Sequence, residues 1–170
     1  MAYLASLLAV SGEWERGCTL MRKVQSLNPR FSGWYWIPAI GKAYAEGHCR
    51  RALNLAVKIN TPDLLISQFL LAAIYGQLGE LEKAQRALQN LLTLRSKFAS
   101  EARKEFAKRY QKDFLDRLIE GLRETGIEIA DGAQSQIWSN QWKTGWLQAD
   151  DRYRPLAPSP SILSLQSRRA

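Results

Sequence analysis

The chain has 170 residues, of which 46% are hydrophobic and 24% charged, and this suits a soluble protein with one domain and its own core. Two cysteines and one histidine are too few for a disulfide framework or a zinc site, so a cytoplasmic location is the simplest expectation. The net charge of +8 would suit an acidic partner, but it is shared evenly between residues 1–94 and 95–170.

The first ten residues, Met1–Val10, are almost entirely apolar. No basic residue precedes the apolar run, which argues against a signal peptide, and the run is too short to span a bilayer. We interpret it as the first helix of a repeat and expect no membrane association. Because Met1 falls inside this helix, we expect the chain to be part of a longer protein.

A glycine-centred phrase then occurs three times, each time with a small residue five positions after the glycine. The three pairs are Gly12 with Gly17, Gly47 with Ala52, and Gly79 with Ala84. A glycine turn followed at a fixed distance by a point of close packing predicts a helical hairpin. The glycines are 35 and 32 residues apart, close to the roughly 34-residue period of one class of helical repeat.

In the second unit we predict helices over Trp34–Ala45 and His48–Ile59, with a bend at Pro38 unless that proline falls in the first turn. In the third unit, Thr61 is predicted to cap a helix whose first residue is Pro62. Apolar residues then recur at helical spacing on both sides of Gly79, which predicts core packing.

Two further helices are predicted after the third hairpin, over Ser100–Tyr110 and Asp113–Glu124, with Gly126 ending the second. The second has an apolar face that includes Leu118 and an opposite charged face. A stack of repeats needs such a helix at its end, because the last repeat otherwise exposes its core side to water.

The composition changes after residue 127, and we predict that residues 128–170 form a mostly disordered tail. Within it, Trp138, Trp142 and Trp146 are spaced by four residues. They belong either to an unstructured extension or to a short amphipathic segment that docks on the repeats or on another chain.

The pattern over residues 1–127 resembles the tetratricopeptide (TPR) repeat family. The best-matching positions are Ala72, Tyr75, Gly79, Ala84, Leu88, Leu91 and Leu94, and Asn28-Pro29 closes the first unit as TPR units close. Departures are Gly17 where alanine is usual, Cys49, and a proline that arrives early at Pro62. The resemblance implies an all-α fold, a short right-handed superhelix of about three helical hairpins with C-terminal capping helices.

The segment that ends in Gly121-Leu-Arg-Glu-Thr-Gly126 is similar to the end of TPR regions at the C-terminus of bacterial multidomain signalling proteins. Those proteins often carry an adenylate/guanylate cyclase or winged-helix domain upstream. The resemblance implies a scaffold or adaptor that binds a protein or peptide partner. It does not bring catalysis or DNA reading to this chain, because the domains responsible for them are not in it.

The resemblance also implies that the first helix of each unit lines a concave groove for partners. Transferring the usual groove positions gives ten residues, of which we predict that Ser6, Trp34, Ile37, Tyr44, Phe69 and Gln77 bind the partner. The other four are Val10, Gly41, Ile66 and Ala73. Trp34 and Trp36 point different ways on a helix, so one is expected in the core and the other exposed. We predict that Trp34 is the exposed one.

We find no residues in the sequence that would form a catalytic or cofactor site. His48 and Cys49 are adjacent and would point about 100° apart on a helix, and there is no phosphate loop or paired-carboxylate motif. We therefore expect no enzyme activity and no cofactor. The alternative function is a basic helical nucleic-acid binder, suggested by Arg50-Arg51, Arg103-Lys104 and Lys108-Arg109.

Overall fold

The computed structural model describes residues 1–129, and within that range it contains helices and no strands. The predicted all-α class is confirmed. The α-helices are α1 (Ala2–Val10), α2 (Trp14–Leu27), α3 (Ile37–Ala45), α4 (Cys49–Ala56), α5 (Leu65–Gln77), α6 (Leu81–Leu94), α7 (Phe98–Phe106) and α8 (Lys112–Arg123). All described residues belong to one compact unit. The predicted tail lies outside the described residues, apart from Glu128 and Ile129.

Helices α1 to α6 pack as three hairpins, α1 with α2, α3 with α4 and α5 with α6. The turns lie at Gly12, Gly47 and Gly79, all with φ between +71° and +104°, a region that glycine adopts without steric cost. The small residues after the turns are points of close packing: a Cβ on Gly17 would lie 2.6 Å from the carbonyl oxygen of Ala5. The predicted hairpins and turns are confirmed.

The predicted helix Trp34–Ala45 is divided in the structure. Residues 33–36 form a 3-10 helix, and α3 begins at Ile37, so Pro38 lies in the first turn, where its missing N–H does not break a helical hydrogen bond. Trp34 is only 6% exposed and Trp36 is half-buried, so the prediction that Trp34 is the exposed tryptophan is wrong. The physical reason is the tighter winding of a 3-10 helix, which turns side chains away from their α-helical directions.

Thr61 does not cap the third hairpin. Its hydroxyl donates instead to the carbonyl oxygen of Ile59, 3.0 Å away, and α5 begins four residues later, at Leu65. The carbonyl of Pro62 accepts a hydrogen bond of 2.9 Å from the side-chain amide of Gln68. The segment before α5 is therefore held by side-chain bonds to the backbone, which compete with helix formation there.

Helix α8 falls within one residue of its predicted position, whereas α7, predicted over Ser100–Tyr110, ends four residues earlier, at Phe106. α8 covers Lys112–Arg123 and ends before Gly126, whose φ is +86°. α7 begins at Phe98, two residues earlier than predicted, because Phe98 packs into the core and is 1% exposed. Among the helices of residues 1–129, none has the length and apolar character needed to cross a bilayer.

Candidate functional site

Helix α8 lies against the first helices of the hairpins rather than over the end of the stack. It packs closely on α5, and single residues connect it to α3 and α1. We call the surface of α1, α3 and α5 that α8 contacts the inner face. A helix of 12 residues is about 18 Å long. This length matches the distance from the first to the third of three neighbouring packed helices, which is two interaxial distances. α8 is therefore long enough to reach all three hairpins.

The start of α8 is fixed to the first hairpin. The backbone N–H of Gln111 donates a hydrogen bond of 2.7 Å to the carbonyl oxygen of Val10, near the end of α1. The Gln111 side chain also lies over the first turn, since a Cβ on Gly12 would be 3.2 Å from its Oε1 atom. The residue before α8 thus satisfies a carbonyl that the end of α1 leaves free.

An aromatic contact fixes the first turn of α8, and a hydrogen bond holds its middle. The Phe114 ring meets Trp14 edge-on, with centroids 4.8 Å apart, and lies 6.3 Å from the ring of Tyr44. Gly41 makes room for this cluster, because a Cβ there would be 2.7 Å from the Trp14 ring. The Tyr44 hydroxyl donates a hydrogen bond of 3.0 Å to the carbonyl oxygen of Arg117. Burial raises the pKa of Tyr44, so the phenol remains a donor at physiological pH.

The end of α8 crosses α5 at two glycines. A Cβ on Gly76 would lie 1.9 Å from the carbonyl oxygen of Gly121, and a Cβ on Gly121 would lie 2.5 Å from that of Ala73. The two backbones are therefore in direct contact, and neither position has room for a side chain. Glycine inside a helix costs about 1 kcal/mol relative to alanine, so this pair marks a required close approach.

A second aromatic cluster joins α7 to α5. Phe69 lies 5.1 Å from Phe98 and 5.0 Å from Phe106, measured between ring centroids. Phe106 continues to Tyr110 at 5.0 Å, and Tyr110 to Phe114 at 5.6 Å. The segment that includes α7 and α8 thus contributes an unbroken series of aromatic contacts to the core of the three-hairpin stack.

Five of the six predicted groove residues are buried. Ser6, Trp34, Ile37, Tyr44 and Phe69 are each at most 8% exposed. Tyr44 and Phe69 meet the aromatic residues of α8 and α7, so the structure corrects the expectation that they line an open groove. The reason is that the chain's own C-terminal helices cover Tyr44 and Phe69. Trp34 instead packs edge-on against Tyr35. The binding of a partner by these residues stays a prediction.

Gln77 is the exception, because it is only half-buried. It borders a cleft of about 800 Å³ with six charged neighbours. These neighbours are Arg103, Asp113, Asp116, Arg117, Glu120 and Arg123. Hydrogen bonds from Lys112, and to a smaller extent from Arg103, lower the pKa of Asp116, so this carboxylate stays charged. The side of α8 turned away from the stack is therefore a charged, solvent-facing surface.

The sequence reasoning did not identify Trp14, Gly76, Phe114 or Gly121 as parts of this site. A signal was present for the two glycines, because they fall inside helices that contain no other glycine and no proline. Among residues 1–129, no three His, Cys, Asp or Glu side chains lie close enough together to hold a metal ion. What the described arrangement provides is a surface that accommodates a helix.

Comparison of the chain with protein-family models, with curated proteins and with solved structures gave no match.

Proposed function

We propose that this chain is a non-catalytic protein-interaction module, a short TPR-like stack that binds a helical segment of a partner on its inner face. The observation that supports the proposal is the position of α8. An amphipathic helix already lies on that face, with Phe114, Leu118 and Leu122 each at most 3% exposed. Docking the apolar side of a helix in a groove is a general mode of recognition between proteins.

The chemistry of the inner face agrees with this role. Tyr44, Ala73 and Gly76 supply a floor of one aromatic and two small residues, while the charged cleft at Gln77 forms part of its border. An apolar centre with a polar rim is the usual anatomy of a protein interface. The Tyr44 hydroxyl adds one directional bond to a helix carbonyl, as it does with Arg117.

The setting that we propose is the C-terminal TPR region of a larger bacterial signalling or regulatory protein in the cytoplasm. It is supported by the resemblance of Gly121-Leu-Arg-Glu-Thr-Gly126 to the closing segment of such regions. Reading the genomic DNA upstream of Met1 tests this setting. An in-frame cyclase or winged-helix domain is expected, and a stop codon followed by an unrelated gene would indicate a free-standing adaptor.

A selection of helical peptides tests the binding function. Amphipathic peptides displayed on phage would be selected against the intact chain, and their contact surface mapped by amide hydrogen exchange. We expect added protection in α3 and α5, and weaker binding to Gln77→Glu than to the matched control Arg86→Glu on the exposed side of α6. Protection confined to α4 and α6, or a selection that yields no binder, would contradict the proposal.

The net charge of +8 favours one alternative, a basic nucleic-acid binder. Several cations are already paired with carboxylates, however. Examples are Lys83 with Glu80 at 2.7 Å, Arg95 with Glu101 at 2.6 Å and Arg103 with Asp116 at 2.5 Å. A steep fall of affinity with added salt would support the alternative, and absence of binding at low salt would remove it.

A further inference from the structure

We infer that α8 occupies the binding site on the inner face and that a partner helix must displace it in order to bind. This inference rests on the proposed function. The partner is a helix with the same register as α8: an aromatic residue at position i, leucine at i+4 and glycine at i+7. In this chain those positions are Phe114, Leu118 and Gly121. The register follows from what the aromatic and glycine positions meet on the inner face and from the complete burial of Leu118.

The aromatic position enters a pocket between two hairpins. Phe114 is 3% exposed and contacts Trp14 of the first hairpin and Tyr44 of the second. Its ring also lies 3.5 Å from where a Cβ of Gly41 would be. A smaller side chain would leave this pocket empty, so a competing helix needs an aromatic residue here.

The glycine position is set by contact between backbones. A side chain at position 121 would meet the Ala73 carbonyl at 2.5 Å and the Tyr44 hydroxyl at 2.6 Å. A competing helix with a larger residue there would be held away from α5. It would also lose the geometry in which Tyr44 donates to the carbonyl four residues earlier, that of Arg117.

The attachment of α8 to the rest of the chain allows it to leave. α8 packs far more closely on α5 than on α7, its neighbour in the chain, so its position depends mainly on the inner face. Residues 107–111 join the two helices, and Ala107, Lys108 and Gln111 are exposed.

Tyr110 is buried against Phe114, so it would leave the core together with α8, and the bond from Gln111 to Val10 would break. The outer side of α8 already faces solvent. Displacement therefore newly exposes only Tyr110 and the apolar side of α8, while the incoming helix covers the inner face in its place.

A peptide with the sequence of residues 110–126 is the probe. Labelled with fluorescein, it would be titrated into the intact chain, into Gly121→Leu, and into Glu120→Leu, whose new side chain falls on the exposed side of the same helix. Gly121→Leu should expel α8 and bind the peptide roughly tenfold or more tighter than wild type, because the free face is then the dominant state. Glu120→Leu should bind as wild type does.

A second measurement uses the wild-type chain, so it does not depend on the folding of a variant. With excess unlabelled peptide, hydrogen exchange of the α8 amides should accelerate while the α5 amides stay protected. A peptide with leucine in place of its glycine should have no such effect. Unchanged protection of α8 at high peptide concentration, or equal affinity of wild type and Gly121→Leu for the peptide, would overturn the inference.

The outcomes separate this inference from the proposed function. Selected helices that bind the inner face without the aromatic, leucine and glycine register would leave the proposed function standing and refute the register. Failure of every selected helix to reach the inner face, together with displacement of α8 by its own peptide, would refute the proposed function. The α8 site would then serve only the chain itself.

Discussion

The hydroxyl of Tyr44 donates a hydrogen bond of 3.0 Å to the carbonyl oxygen of Arg117, which lies 73 residues later in the chain. Tyr44 is fully buried, and the Arg117 guanidinium lies 5.7 Å from the centre of its ring. One side chain of the second hairpin therefore fixes both the position of α8 along its axis and its rotation about that axis. Tyr44 thus links the second hairpin directly to the helix on the inner face.

Replacing Tyr44 by phenylalanine should destabilise the protein by about 1 kcal/mol, because the ring contacts remain and only the hydrogen bond is lost. The expected fall in melting temperature is roughly 3–6 °C, measured by circular dichroism. Tyr3→Phe is the matched control, since Tyr3 is 47% exposed on α1 and should leave the melting temperature unchanged. Equal effects of the two changes would show that the bond to Arg117 contributes nothing.

Leu118→Asp should be far more damaging, because it places an unpaired charge on the buried side of α8, where Leu118 is 0% exposed. We expect a loss of roughly 3–5 kcal/mol, seen as a large fall in the thermal midpoint or as loss of cooperative unfolding. Glu120→Asp, exposed on the same helix, is the control. An unchanged midpoint for Leu118→Asp would mean that α8 does not stabilise the stack.

Gly76→Ala should destabilise the fold although alanine is the better helix former. The added methyl group would lie 1.9 Å from the carbonyl oxygen of Gly121, so α5 and α8 must separate. Gly79→Ala provides the comparison: nothing lies within 4 Å of the added Cβ, and the cost comes only from φ of +71°, about 1 kcal/mol. Denaturant unfolding should rank Gly76→Ala as the more damaging change, and the reverse order would exclude close packing of α5 on α8.

Burial raises the pKa of Glu105 to about 7, with Arg95 opposing the shift. Its side chain is only 8% exposed, its Oε2 atom lies 3.1 Å from Arg95, and Glu101, Arg109 and Lys108 act on it through space. The folded state therefore binds a proton more tightly than the unfolded chain does, and stability should fall as the pH rises from about 4.5 to about 7. Above that range the loss is complete.

Glu105→Gln should remove most of this loss, because glutamine resembles the protonated acid. Urea unfolding at pH 5 and at pH 8 would measure it, and we expect the wild type to lose roughly 1–3 kcal/mol more than the variant. Glu82→Gln is the control, since Glu82 is exposed on α6 and is not among the charged groups that act on Glu105. A wild type that gains stability between these pH values would show that the attraction of Arg95 outweighs burial.

Local features of the sequence were enough to predict the hairpins. Gly12, Gly47 and Gly79 have positive φ as expected, because the conformation of a helix end depends on the residues at the turn itself. The limits of α8 were also predicted within one residue, since its apolar and charged faces alternate along the sequence. The start of α5 was not predicted correctly, because the hydroxyl of Thr61 donates its hydrogen bond to the carbonyl oxygen of Ile59 and does not cap the helix.

The location of α8 was decided only by the tertiary structure. Its pattern of apolar residues requires that one face be buried, but it does not identify the surface that buries it, and a terminal cap on the last hairpin satisfied the same requirement. The inner face was chosen by contacts between residues far apart in the chain: Gln111 with Val10, Phe114 with Trp14, and Gly121 with Gly76. Such contacts depend on the assembled stack, and so Tyr44, which was predicted to line an open groove, is buried beneath α8.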